Sequence, residues 1–112
     1  IVEGAGGLMV PLNDKEFVLD LIQALDAKVI LISRNYLGSI NHSLLTYFIA
    51  RDKKLDVLGW VFNDHYLDYE NEIAIWSGYP RLGSVPGCES PDHDFVKRQA
   101  QIFRKRFETI LW

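Results

Sequence analysis

Two short segments carry the residue types that do chemistry. One opens the chain: Ile1-Val2-Glu3-Gly4-Ala5-Gly6-Gly7. The other is Ser33-Arg34-Asn35-Tyr36-Leu37-Gly38-Ser39-Ile40-Asn41-His42. A carboxylate such as Glu3 at a strand end can hold a Mg²⁺ directly or through water, and Gly4 and Gly6 let backbone approach a phosphate. A tight turn beside a solvated Glu3 accounts for the same residues, and the glycines do not follow the G-x-G-x-x-G fingerprint. At Gly38-Ser39-Ile40-Asn41 a helix begins just after a strand. Its free N–H groups and positive dipole end suit a carboxylate or phosphate. A plain Ser39 N-cap is the simpler alternative. His42 lies in the first turn and reads as a ligand contact or, more simply, a packing histidine.

Two further strand ends repeat the theme. Asn63-Asp64 can offer a donor and an acceptor to a purine edge, or form an Asx-type turn. Val85-Pro86-Gly87 can wall the same pocket, or be a turn. Glu89 and Asp92 follow, within reach of a ribose hydroxyl. A phosphate-binding G-x-x-x-x-G-K-[ST] loop is absent from the sequence. Half of a ligand site is therefore legible.

The elements needed to position these residues alternate. Ile1 to Glu3 reads as the tail of a buried strand. A helix follows over about Lys15 to Leu25, with Asp14 as its cap and Phe17, Val18, Leu21, Ile22 and Leu25 on one face. Lys28 to Ser33 is an unbroken aliphatic run, the pattern of a strand buried on both faces. A turn at Arg34 to Gly38 leads to a helix capped by Ser39 and reaching Arg51, with Ile40, Leu44, Leu45, Phe48 and Ile49 inward. Asp56 to Phe62 is a strand, and Asp68 or Tyr69 to Trp76 a helix. Arg81 to Val85 is a strand, and Asp92 or His93 to Ile110 a helix. Alternation of this kind predicts a mostly parallel α/β sheet with right-handed crossovers. Ligands of such sheets bind at the carboxyl ends of the strands, where all four segments fall.

Composition narrows the partners. The 112 residues are 48% hydrophobic and 24% charged, enough for one small globular domain. A net charge of −3 leaves no electrostatic footprint for nucleic acid or an anionic membrane. No apolar run approaches the roughly 20 residues of a membrane span. Lys97, Arg98, Arg104, Lys105 and Arg106 alternate with Phe95, Ile102, Phe103 and Phe107, the pattern of a solvated helix face. The lone Cys88 rules out an internal disulfide and points to a reducing, cytoplasmic compartment. No base motif accompanies it, so it is a poor candidate nucleophile. Because the chain begins inside an expected strand without Met, it reads as a piece of a longer protein.

The residues also resemble a known family. Val2-Glu3-Gly4-Ala5-Gly6-Gly7 with Val10-Pro11-Leu12, then Val29-Ile30-Leu31-Ile32, resemble the middle of dethiobiotin synthetase. So do Leu37-Gly38-Ser39-Ile40-Asn41-His42 with Leu44-Leu45-Thr46, Gly59-Trp60-Val61 with Asn63-Asp64, and Leu82-Gly83 with Val85-Pro86. The match runs in order over most of the chain. It implies a three-layer α/β fold of the P-loop NTPase type, here residues 1–112 as the C-terminal portion of a subunit. It implies an ATP- and Mg²⁺-dependent cyclo-ligase acting on 7,8-diaminononanoate and CO₂ in biotin biosynthesis, as a homodimer. Carried onto this chain, the resemblance makes Glu3 the metal ligand and Glu3, Gly4, Ala5 and Gly6 nucleotide-phosphate contacts. Asn63 and Asp64 become the adenine pair, with Val85, Pro86 and Gly87 as the later adenine segment. Gly38, Ser39, Ile40 and Asn41 receive the diamine's carboxylate across the dimer interface. The phosphate loop, the carbamate-stabilising Lys and an upstream metal-binding Asp of the family have no counterpart here. The chain by itself is therefore expected to be inactive and to carry no catalytic residue. Two other functions fit the residues: a nucleotide- or partner-binding half-domain without chemistry, and an amidoligase of the cobyrinate a,c-diamide synthase type.

Overall fold

The computed structural model describes residues 1–111. Seven elements follow in order: α1 (Val18–Ala24), β1 (Val29–Arg34), α2 (Ser39–Asp52), β2 (Val57–Asn63), α3 (Tyr69–Ser77), β3 (Arg81–Val85) and α4 (His93–Leu111). The three strands form one parallel sheet in the order β1-β2-β3. Each crossover is a helix, as parallel pairing requires.

Alternation along the strands divides the core between the two faces. Val29, Leu31, Trp60 and Phe62 face one way and pack with Ile73 of α3, Ile40 and Tyr47 of α2, and Ile22 of α1. Trp60 stacks on Phe62, and its buried indole N–H donates to Ser77 Oγ at 2.9 Å. Val61 and Leu82 face the other way and take Phe103 of α4. The expected helix–sheet–helix layering is thus present, with α4 alone covering the second face at the β3 side.

Several expectations need correction. No strand forms at Ile1–Glu3: residues 1–7 are exposed coil. A strand needs a neighbour for its N–H and C=O groups, and the sheet of the described residues offers this segment none. The chain instead returns on itself, with Val18 N–H donating to Val10 O and Leu19 N–H to Leu8 O. Asp14 does not cap α1. The helix starts later, after Phe17, whose N–H donates to the Asp20 carboxylate at 2.7 Å. Asn13 organises the preceding turn by accepting from the Lys15 and Glu16 amides. β1 is not buried on both faces: Val29, Leu31 and Ser33 are buried, but Ile32 is 66% exposed because α4 does not reach it. Leu45 and Phe48 of α2, and Leu21 and Leu25 around α1, are likewise exposed.

α4 follows its expected pattern in part: Phe103 is buried against the sheet, but Ile102, expected on the same apolar side, is 64% exposed. Asp92 accepts the Phe95 N–H at 2.7 Å as an N-terminal cap. Its basic residues are exposed, Arg104 pairing with Glu108 one turn on at 2.7 Å. Arg106 instead donates to the Arg81 and Leu82 carbonyls, satisfying acceptors along the outer edge of β3. Among the described residues no helix is long and apolar enough to cross a membrane.

Candidate functional site

Parallel register brings the strand ends together. Arg34 pairs with Asn63, and Asn63 with Val85, so one row at the carboxyl edge holds all three. Asn35 N–H donates to Asn63 O at 2.8 Å, and Asp64 N–H to Val85 O at 3.1 Å. The Asn63-Asp64 turn is therefore clamped between the ends of both neighbouring strands.

Asn63 is exposed on this rim. Its Oδ1 accepts the Asp64 N–H at 3.1 Å, while its Nδ2 makes no hydrogen bond among the described residues. Asp64 adopts a left-handed backbone, φ 61°. Its carboxylate is paired with Arg34 Nε at 2.7 Å. The other carboxylate oxygen lies so close to Gly87 that a Cβ there would fall 2.8 Å from it. Asp64 also lines a cavity of about 410 Å³, to whose lining Asn63 and Gly87 do not belong. Asp64, Val85 and Pro86 line it, with His65, Glu70 and Arg81 on the remaining sides. Its size falls at the small end of ligand pockets.

Gly38, Ser39, Ile40 and Asn41 open α2 beyond the end of β1, on the same edge. Ser39 is not the cap: Gly38 holds that position, with no side-chain cap bond, and Ser39 is the first helical residue. The Ser39 side chain turns inward, fully buried, with Oγ unpartnered. Asn35 Oδ1, also buried, is the second unpartnered oxygen here. The buried Ser33 and Ser43 hydroxyls, by contrast, bond to each other at 2.7 Å. His42 bonds through Nδ1 to the Tyr36 hydroxyl and the two rings pack together, in line with the simpler reading of that residue.

Glu3, Gly4, Ala5 and Gly6 lie apart from this row. They form exposed coil beside the α1 start, Gly4 against Val18, and Glu3 makes no hydrogen bond or ion pair among the described residues. No cluster of three or more His, Cys, Asp or Glu able to hold a metal occurs among the described residues. Cys88 is free and exposed.

Sequence reasoning missed the polar network beneath the rim. Glu70, in the first turn of α3, is buried and accepts from Asn35 Nδ2 at 3.1 Å and Ser84 Oγ at 2.6 Å. Arg81 completes it with an ion pair at 2.6 Å. In one dimension Glu70 is an acid at a helix start, which the dipole alone explains.

A parallel sheet between helices, with a polar cavity where its strands end, defines a three-layer α/β domain. The AAA domain family model AAA_26 matches residues 1–93, and the chain belongs to that family. The chain is 57% identical over 98 residues to the ATP-dependent dethiobiotin synthetase of Cytophaga hutchinsonii, covering 87% of this chain and 46% of that protein. It is 43% identical over 107 residues to the corresponding protein of Christiangramia forsetii, covering 95% and 51%. The bifunctional biotin biosynthesis protein of Bordetella avium is 38% identical over 112 residues, covering 98% and 23%. The chain spans about half the length of the dethiobiotin synthetases it matches.

Proposed function

We propose that this chain is the C-terminal portion of an ATP-dependent cyclo-ligase of the dethiobiotin synthetase type. The substrates are 7,8-diaminononanoate, CO₂ and ATP, and the product is the ureido ring of dethiobiotin. The observation that carries this reading is the clamped row of Arg34, Asn63 and Val85, with Asp64 against Gly87, in a chain 57% identical to an enzyme of that name.

In this scheme the diamine first takes up CO₂ as a carbamate. ATP phosphorylates the carbamate oxygen, and the second amine attacks the carbonyl carbon and expels phosphate. This chain's part is to bind and orient. Asn63 offers its free Nδ2 to an acceptor on the adenine edge, and Val85, Pro86 and Gly87 flank the ring. Gly38, Ser39, Ile40 and Asn41 receive the diamine's carboxylate at the positive end of α2, where the Ser39 N–H itself donates to Tyr36 O at 3.0 Å. That carboxylate arrives from the second subunit of a homodimer. Glu3, Gly4, Ala5 and Gly6 approach the phosphates.

Mg²⁺ is typically held by one or two carboxylates plus substrate phosphates. A single exposed Glu3 with no competing ion pair fits that donor set. The ion would neutralise charge on the phosphoryl oxygens. Cationic and N–H donors for the transferred phosphoryl group are also required. No G-x-x-x-x-G-K-[ST] sequence occurs in these residues, so those donors belong to the rest of the subunit. A biosynthetic enzyme of this kind works in the cytoplasm.

The test is ADP release by the full-length protein carrying this chain. Release should require the diamine and CO₂ together, and the 112 residues alone should release none. Asn63→Ala should raise the ATP KM and weaken preference for ATP over GTP. ADP release indifferent to the diamine, or an unchanged ATP/GTP preference, counts against the reading.

A further inference from the structure

The buried carboxylate of Glu70 is one whose position the catalytic scheme does not explain. Residues at helix starts that only complement the dipole sit in solvent, as Glu72 does one turn-face away. Glu70 is 8% exposed and takes three donors, from Asn35, Ser84 and Arg81. A desolvated charge persists only where its partners are well placed, and removing one side leaves the other unsatisfied.

The donors are informative because of what else they hold. Asn35 Nδ2 also donates to Asp64 O at 3.1 Å. Ser84 precedes Val85, whose carbonyl accepts from Asp64 N–H at 3.1 Å. Arg81 reinforces Ser84, its guanidinium donating to Ser84 Oγ at 2.8 Å. Glu70 therefore ties the end of β1 to the end of β3, and both backbone groups of Asp64 are held between those ends. Asp64 needs such restraint, since its left-handed φ of 61° is one that residues other than glycine adopt at a cost. Glu70 and Arg81 also line the same cavity as Asp64, Val85 and Pro86.

We propose that Glu70 is a positioning residue that, through Asn35 and Ser84, fixes the Asn63-Asp64 turn and so sets nucleotide-base selectivity. This rests on the nucleotide reading of the rim given above. Glu70 does not touch the base. It determines where Asn63 presents its amide relative to Val85, Pro86 and Gly87.

The experiment compares wild type, Glu70→Gln, Ser84→Ala and Ser84→Thr in the full-length protein, with Glu72→Gln as the control. Glu70→Gln should raise the ATP KM roughly tenfold, as expected for a lost charge-assisted hydrogen bond. It should lower the preference for ATP over GTP while kcat at saturating ATP and the diamine KM stay within about twofold. Ser84→Ala should give a smaller change in the same direction, and Ser84→Thr, which keeps the hydroxyl, should restore wild-type values. Amide hydrogen exchange should quicken at Asn35 and Asp64 but not at Leu31 or Trp60. A lower melting temperature with unchanged ATP KM and selectivity would reduce Glu70 to a structural residue and overturn the proposal. Should the wild-type protein release no diamine-dependent ADP, the functional reading fails separately. Exchange at Asp64 then decides whether Glu70 positions the turn: faster exchange upholds it and unchanged exchange overturns it.

Discussion

Replacing Gly59 by alanine probes the pairing that creates the rim. Gly59 lies in β2 with φ 149°, outside the range where side chains sit comfortably. A Cβ there would fall 2.9 Å from Leu82 Cγ and 3.0 Å from Leu82 Cδ2, and would also collide with the Pro80 carbonyl oxygen. Neither neighbour can yield easily. Pro80 O accepts the Trp60 N–H at 2.8 Å, and Leu82 is buried against Val61 and Phe103. Backbone strain contributes about 1 kcal/mol, and overpacking a filled core about 1–3 kcal/mol. The expected loss is therefore about 2–4 kcal/mol, a large share of the roughly 5–15 kcal/mol that holds a domain together. Gly78 supplies the comparison. It too has positive φ, 71°, but an added Cβ would meet nothing within 4 Å. Gly78→Ala should lose only the backbone contribution of about 1 kcal/mol. Urea unfolding of both variants, read as midpoint shifts at constant slope, measures the difference. If Gly59→Ala were no worse than Gly78→Ala, β2 and β3 would not be packed in this register. Val85 would then not lie beside Asn63.

Two other outcomes follow from individual side chains. The pKa of Tyr79 is raised above its ordinary value of 10.0, first by burial and then by the neighbouring Tyr47, with Arg51 partly opposing. A group whose pKa rises on folding gives its full stability below the unfolded value and loses it as pH climbs through the folded one. Stability should fall above about pH 10, and Tyr79→Phe should flatten that fall in a pH series of unfolding curves. Glu3→Gln in the full-length protein should raise the Mg²⁺ concentration needed for half-maximal ADP release, roughly tenfold or more for a lost charged ligand, with the ATP/GTP preference untouched.

Much of the scaffold was legible because its signals are local. The aliphatic run at Val29–Ile32, the Pro-Gly after Val85 and the basic–aromatic amphipathic pattern of α4 each specify an element without help from elsewhere. β3, read from sequence as Arg81 to Val85, has those bounds in the structure. Errors arose where the outcome depends on a neighbour. Ile1–Glu3 has strand composition, but a strand exists only with a partner. Ile32 continues an apolar run, but its burial depends on how far α4 reaches. Asp14 and Ser39 are good caps by type, yet Phe17 and Gly38 hold the N-cap positions, with Asp20 accepting the Phe17 N–H. The rim itself was half visible: Asn63, Asp64, Val85, Pro86 and Gly87 stood out at strand ends. Glu70 and Arg81 did not, since 11 positions and a strand crossover separate two residues whose partnership only folding reveals.

The central claim is that the row of strand ends around Asn63 receives the base of ATP. A crystal structure of the full-length protein with a non-hydrolysable ATP analogue addresses it most directly. The account predicts the adenine edge within about 3.2 Å of the Asn63 side-chain amide, with the ring against Val85, Pro86 and Gly87. An adenine seated elsewhere, with Asn63 still facing solvent, would contradict it.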